Sequence, residues 1–318
     1  MSAGVAEPVS SARGGLKSLL EADFADGTVV RQNVSLAELT TLRVGGQADW
    51  FAEPQSQADL SALVSASREH GLPVTALGLG SNFLVLDSGV RGLTVRLSAG
   101  VFAGIEADGS RLKCGAAARM KKVAAEARRC RLAGMEFFEG IPGSVGGGLR
   151  MNAGAMGSEL FDVVETVRFM DPAGEVFEMS AESIESTYRS CPLLKNQIAL
   201  GAVLKGEPDS GEAITARMAE YSQKRWGSQP KARSAGCIFK NPEDIPAGKL
   251  IDELGLKGAT EGGAMVSQEH GNFIVNKGDA TAGDILQLID RIREKALSER
   301  GIELQTEVQI IGREDGRV

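Results

Sequence analysis

Cysteine and histidine are scarce in this sequence. The four cysteines, Cys114, Cys130, Cys191 and Cys237, lie far apart, and neither His70 nor His270 stands near one of them. This spacing gives no zinc pattern, so no metal is expected. A disulfide framework is not expected in so long a chain read as cytoplasmic. There is no run of eighteen apolar residues, and Met1 to Gly15 is small and polar without an apolar leader segment, so neither membrane insertion nor secretion is expected. Positive charge is in deficit: 35 Lys and Arg stand against 42 Asp and Glu, a formal charge of −7. That excludes a general nucleic-acid or anionic-membrane surface, and any anionic ligand must be held locally. The GxxxxGK[ST] phosphate loop is missing, as are internal repeats.

Glycine, in contrast, is plentiful, at 40 of 318 residues. The densest run is Gly140-Ile141-Pro142-Gly143-Ser144-Val145-Gly146-Gly147-Gly148, leading into Asn152-Ala153-Gly154. Such a run leaves backbone N–H groups unshielded, the kind of surface that binds a pyrophosphate, although a tight turn has the same composition. A second loop, Gly78-Leu79-Gly80-Ser81-Asn82, opens like a Rossmann fingerprint but lacks the third glycine and is followed by a strand pattern rather than a helix. Together the two loops suggest one extended dinucleotide.

The 42% hydrophobic and 24% charged content is that of a soluble globular protein of two or three units. Residues 1–20 read as a flexible lead. Ser56 and Asp59 open a helix that carries Leu60, Leu63 and Val64 and closes at His70-Gly71. Residues 73–79 and 83–86 read as strand, turn, strand, 119–131 as a helix, and 163–179 as a hairpin turning at Asp171 to Gly174. A strand is expected at 198–204. The main boundary is expected near 206, before a helix carrying Ile214, Met218 and Tyr221. Later come a strand at 272–275 and a helix opening at Thr281-x-x-Asp284. Residues 303–311 alternate as a strand with Leu304, Val308 and Ile310 on one face and Glu307 on the other.

The order of several motifs carries a resemblance. Thr41-Leu42-Arg43-Val44-Gly45-Gly46, the loops at 78–82 and 140–154, and Tyr188-Arg189-Ser190 are followed by Gln229-Pro230, Ser234-Ala235-Gly236-Cys237-Ile238-Phe239-Lys240-Asn241-Pro242, Gly271-Asn272-Phe273 and Glu307-Val308. The chain resembles the UDP-N-acetylenolpyruvoylglucosamine reductase family over residues 25–312, in the subtype that lacks an extra substrate-capping loop.

The resemblance implies an α+β fold: an FAD-binding domain of the vanillyl-alcohol-oxidase type, made of two subdomains (21–97 and 98–206), and a C-terminal α+β substrate-binding domain (207–318). It implies noncovalent FAD, held around Arg43, Gly45, Gly46, Gly78, Gly80, Ser81, Asn82, Gly140, Ile141, Pro142, Gly143, Ser144, Gly146, Gly147, Asn152, Ala153 and Gly154. NADPH is the implied hydride donor and UDP-N-acetylglucosamine enolpyruvate the implied acceptor, in peptidoglycan precursor synthesis by a cytoplasmic monomer. Hydride goes to C3 of the enolpyruvyl group and a proton to C2.

Such a double bond accepts hydride only if the charge developing toward its carboxylate is stabilised and an acid faces the adjacent carbon. The implied catalytic residues are Arg189 as a carboxylate clamp, Cys237 as the acid and Glu307; Tyr188, Arg225, Gln229, Lys240 and Asn241 are implied for the nucleotide substrate. Cys237 departs from the family's usual serine, as do Cys191 and Gln309 from common residues at their positions. An unperturbed thiol near pKa 8.5 makes the first change chemically permissive. Another flavin oxidoreductase of the same fold, acting on an alcohol or hydroxy acid, is the alternative, and a catalytically silent nucleotide-binding protein is a third reading.

Overall fold

The computed structural model describes Phe24 and residues 26–98 and 100–312; the expected lead at 1–20 lies outside them. The first unit is a four-stranded sheet. Strands β1 (Val29–Ser35) and β2 (Gln47–Glu53) pair antiparallel, while β3 (Val74–Leu77) and β5 (Val90–Arg96) run parallel in the order β1-β2-β5-β3; β4 (Phe83–Val85) lies apart. Helix α1 (Gln57–Glu69) starts where Ser56 Oγ accepts from Asp59 N and ends at His70. Its Leu60, Leu63 and Val64 are buried against the sheet, each contributing about 1.5–3 kcal/mol. The two segments around the 78–82 loop are strands as expected but do not pair with each other: β3 stays in this sheet and β4 leaves it.

The second unit is a five-stranded antiparallel sheet formed by β6 (Ile105–Asp108), β7 (Arg111–Gly115), β8 (Val164–Met170), β9 (Val176–Ser180) and β10 (Ile198–Lys205), in the order β9-β8-β10-β7-β6. Helix α2 (Met120–Arg129) buries Met120, Val123, Ala124 and Ala127 at helical spacing. It delivers the chain to the glycine run, whose second half becomes a short helix, α3 (Val145–Met151). Helix α4 (Gly211–Ser228) places Ile214 and Met218 in this same core, with Tyr221 packed against it. By packing, then, the helix that begins after residue 206 stays with the second unit, because its apolar stripe has its partners there.

The third unit orders β11 (Arg233–Cys237), β12 (Thr260–Glu261), β13 (Ala264–Val266) and β14 (Phe273–Asn276) as β11-β14-β13-β12, flanked by α5 (Ala247–Glu253) and α6 (Ala282–Arg300). A capping box between Thr281 and Asp284 opens α6, and Gly301 closes it at φ +66°. The chain then returns to the first unit, where β15 (Gln309–Ile311) pairs parallel with β4.

Side chains also fasten the third unit to the first. The Asp87 carboxylate accepts from Ala282 N and Gly283 N at 3.0 Å each, a charge at a helix N-terminus worth about 0.5–1 kcal/mol. Asn276 Nδ2 donates to the carbonyls of Leu42 and Arg43. No helix among the described residues is long and apolar enough to cross a membrane.

The regular strand expected over 303–311 is not formed. Glu307 N and Val308 N both turn to Ile238 O, at 2.8 and 3.3 Å, and Phe239 bridges Thr306. Only the last three residues are strand. Ile310, expected on the apolar face with Leu304 and Val308, is 39% exposed, while Glu307 lies in a shielded position. The alternation reflects a crossing against 238–240 rather than one sheet face.

Candidate active site

Loops from all three units meet at one place. Ser81 Oγ donates to Pro142 O at 3.0 Å, joining the two glycine loops. Thr41 Oγ1 reaches Gly80 O at 3.3 Å and Ser234 O at 2.7 Å, joining the first loop to β11. Asn82 Nδ2 donates to Glu307 O at 3.2 Å, and Asn82 O accepts from Gln309 N at 2.9 Å. Arg225 Nη1, in the last turn of α4, donates to Gly140 O at 2.6 Å.

The glycines fall into two kinds. At Gly45 and Gly46 an added Cβ would stand 2.4 Å from Val85 O and 2.3 Å from Asp87 O; at Gly146 it would stand 2.9 Å from Ala116 Cβ. Gly80 and Gly154 are closed in the same way, by Leu39 O and Ser158 O. These are required because the neighbouring chain passes too close to leave room for a Cβ. Gly140 has nothing within 4 Å, and Gly147 has only Ser144 Oγ, at 3.9 Å. There the bare main chain borders open space, a cradle suited to a pyrophosphate. Gly78 and Gly143 lie between, each facing a serine hydroxyl at 3.1 and 3.5 Å. Ser144 is buried and Ile141 packs partly on the second core.

Farther along, a cavity of about 440 Å³ lies between the first two units, lined by Val74, Thr75 and Ala76 ahead of the 78–82 loop, Arg150 on α3, and Asn196 to Ile198 at the start of β10. Gln197 Oε1 is buried there without a hydrogen-bond partner. The open cradle and this orphaned acceptor fit an extended dinucleotide with an amino-bearing base.

Arg189 sits in a tight turn. Ser190 N donates to Thr187 O at 3.0 Å, Thr187 N donates back to Ser190 O at 2.9 Å, and Arg189 is held at φ +56°. A left-handed conformation costs a side-chain-bearing residue about 1–2 kcal/mol, so the surroundings must impose it. The buried Asn152, itself left-handed at the end of α3, does part of this: its Nδ2 donates to Thr187 O at 3.3 Å and Glu159 Oε2 at 2.7 Å, while its Oδ1 accepts from Phe161 N at 3.1 Å. Through its bond to Thr187 O the side chain of Asn152 braces the turn that carries Arg189. Ala153, next in sequence, uses its N–H on Gly148 O, within the helix end.

From its turn Arg189 brings Nε to 3.0 Å from Glu307 Oε1, with the two side chains 21% and 14% exposed. The N–H direction misses the carboxylate oxygen, so this is a charge contact and not an aligned hydrogen bond. The guanidinium carbon lies 5.3 Å from the ring centre of the exposed Tyr188.

Cys237 owes its placement to a β-bulge. The pairing of β11 with β14 slips between Ser234 and Cys237, where Gly236 stands at φ +77°. A bulge re-aims the side chain that follows it. Beyond it, Asn272 brackets Phe239, accepting from its N at 2.9 Å and donating to its O at 2.7 Å. Ile238 O takes the N–H of Glu307, so the residue after the thiol and the residue bearing the carboxylate are tied together.

Burial, with the neighbouring Glu307 charge, pushes the Cys237 thiol up to about 12, against a smaller opposing effect of Arg189. The unperturbed value expected from sequence does not hold here. Burial also raises the Glu307 carboxyl, although Arg189 and Lys240 both draw it down. Lys240 therefore belongs to the same electrostatic cluster.

The remaining expected residues are less central. Asn241 Oδ1 accepts from Ala247 N at 3.0 Å and starts α5. Gln229 closes α4, its N–H on Arg225 O. Arg43 has an exposed side chain and offers its carbonyl to Asn276. Sequence reasoning did not pick out Gln197 or Arg150, which line the cavity, since a half-buried amide or guanidinium has no periodicity to mark it.

Comparison with known proteins gives a consistent picture. Residues 48–180 match the profile described as an FAD binding domain, and residues 229–311 match that of the UDP-N-acetylenolpyruvoylglucosamine reductase C-terminal domain. The chain is 43% identical to the UDP-N-acetylenolpyruvoylglucosamine reductase of Methylorubrum extorquens over 88% of its own length and 91% of that protein. It is 39% identical to the reductase of the same name from Bacillus velezensis, over 90% of its length and 95% of that protein. The crystal structure of the Thermus caldophilus reductase superposes with a TM-score of 0.79 at 39% identity, covering 90% of this chain and all of that one.

Proposed function

Because the chain belongs to the UDP-N-acetylenolpyruvoylglucosamine reductase family, we propose that it reduces UDP-N-acetylglucosamine enolpyruvate to UDP-N-acetylmuramate with NADPH, using noncovalently bound FAD. The observation that carries this reading is the meeting of Arg189, Cys237 and Glu307 beside open glycine backbone.

The FAD would be held by the main chain at Gly140 to Gly147 and by the 78–82 loop, with its purine end in the cavity beside Gln197 and Arg150. When bound, FAD supplies hydride chemistry, accepting two electrons from NADPH and delivering them to the enolpyruvyl double bond. Arg189, in its enforced turn, presents a guanidinium to the substrate carboxylate, where negative charge develops as hydride reaches C3. Cys237 keeps its proton at any working pH, because its thiol is pushed up to about 12, and gives that proton to C2. Glu307, its carboxyl raised by burial while Arg189 and Lys240 draw it down, lies against Arg189 at 3.0 Å and holds the guanidinium in place beside the thiol. The double bond gains one hydride and one proton, and NADPH leaves as NADP+.

An alcohol oxidase would need a base poised to take a proton. Both acids here are pushed toward their protonated forms, which favours donation. The reading carries with it peptidoglycan precursor synthesis, a cytoplasmic location, a monomer, and through cell-wall supply a bearing on cell shape and division. Its test is NADPH consumption by the purified holoenzyme: oxidation should depend on the enolpyruvyl nucleotide, matching it mole for mole. NADPH oxidation that ignores this substrate and yields peroxide would refute it.

A further inference from the structure

Asn272 grips the segment just after Cys237 with main chain and side chain together. Its carbonyl accepts from Ile238 N at 2.9 Å, while its buried amide takes both peptide groups of Phe239. Ile238 O in turn holds the N–H groups of Glu307 and Val308. The crossing that sets Cys237 beside Glu307 therefore hangs on where Asn272 stands. That placement is fixed from His270, whose Nδ1 accepts from Asn272 N at 3.1 Å and whose carbonyl accepts from Phe273 N at 3.0 Å. The turn is pressed onto α5: a Cβ at Gly271 would stand 2.5 Å from Gly248 O, and one at Gly248 would stand 2.7 Å from His270 Cε1. Phe273 meets the imidazole edge to face, with ring centres 4.9 Å apart.

A backbone amide can only donate, so the Nδ1 that faces it carries no proton, and the ring is neutral with its proton on Nε2. An imidazolium would set N–H against N–H and break the turn. The surroundings oppose that form: burial, then the Lys257 charge, push the imidazole below the ordinary histidine range, against a smaller pull from its own backbone. Lys257 is paired with Asp252 of α5 at 2.7 Å, Lys249 and Glu253 of that helix face each other at 3.8 Å, and Glu269 in the turn itself is taken up by Ser267 Oγ at 2.6 Å. We propose that neutral His270 is a positioning residue for the proton-donating half of the reaction, holding Cys237 and Glu307 in register through Asn272. This rests on the proposed reaction for the step it serves, but not for the tautomer or the turn.

The chain has only two histidines, and His70 is exposed at the end of α1, so the signals of His270 can be assigned with one variant. Ring-nitrogen NMR of the holoenzyme should show His270 protonated on Nε2 alone and titrating below the ordinary histidine range. In stopped flow, reoxidation of the reduced flavin by the enolpyruvyl nucleotide should slow about 10–100-fold as pH falls through that titration, while bleaching by NADPH keeps its rate. An asparagine carbonyl accepts from the N–H two residues on, as in an Asx turn, and does not titrate. His270→Asn should therefore reoxidise within about threefold of the wild-type rate at neutral pH and lose this acid limb, whereas His270→Ala should be about 10–100-fold slower throughout. An unchanged acid limb in His270→Asn would overturn the proposal and assign the limb to another group. So would an asparagine variant no faster than the alanine one, wild-type reoxidation in His270→Ala, or equal losses in both half-reactions, the mark of a purely structural role. A proton on Nδ1 in the wild type would overturn it without any turnover. The expected tautomer in a protein that passes no hydride to the enolpyruvyl nucleotide would instead refute the reaction and leave the turn standing.

Discussion

Arg189 Nε stands 3.0 Å from Glu307 Oε1, yet the carboxyl is raised above its ordinary range, because burial outweighs the arginine and the more distant Lys240. The folded protein therefore holds the Glu307 proton more tightly than the unfolded chain does. As pH rises from the ordinary carboxylate range through the raised value, this group lowers stability. Glu307→Gln removes the titration. Its melting temperature relative to wild type should rise with pH across that window. Paired thermal melts in acidic and neutral buffers check the sign; a relative melting temperature that falls with pH would mean the ion pair dominates.

Asn152 ties the turn that carries Arg189 to Glu159 and Phe161. Removing its amide leaves Thr187 O, Glu159 and Phe161 N short of a partner, at about 1–3 kcal/mol for a buried network. Asn152→Ala should lower thermal stability and also kcat, because the turn that forces Arg189 to φ +56° loses its anchor. Half-reactions followed by stopped flow should show the loss at the enolpyruvyl step, with bleaching by NADPH nearly normal.

Neighbouring glycines should respond differently to one methyl group. Gly146→Ala puts Cβ 2.9 Å from Ala116 Cβ and should destabilise the fold by about 1–3 kcal/mol. Gly147→Ala meets only Ser144 Oγ at 3.9 Å, so the apoprotein should melt near the wild-type temperature while retaining less flavin. Melting curves and the flavin-to-protein absorbance ratio separate the two effects. Equal flavin retention in Gly147→Ala would remove that backbone from the cofactor site.

Much of this was legible in the sequence where local physics decides the outcome. Ser56 with Asp59 and Thr281 with Asp284 announce helix starts because the capping groups are close in sequence. The stripe on α2 is readable for the same reason. The end of the chain was misread because the alternation over 303–311 is produced by a crossing with 238–240, a contact between distant segments. The glycine loops were visible as glycine, but which glycines pack and which face open space depends on Ala116, Val85 and Asp87. Likewise, the shift of Cys237 to about 12 follows from burial and from Glu307, neither of which its own neighbours in sequence reveal.

The most direct measurement of the central claim is a single-turnover experiment on Cys237→Ala beside Cys237→Ser. Proton delivery to C2 belongs only to the enolpyruvyl half of the reaction, so NADPH should bleach the visible flavin absorbance of both variants at the wild-type rate. On adding the enolpyruvyl nucleotide, the serine variant should regain its colour with substantial speed, and the alanine variant about 10²–10⁴-fold more slowly than wild type. An alanine variant that regains colour at the wild-type rate would contradict the account and remove Cys237 from the chemistry.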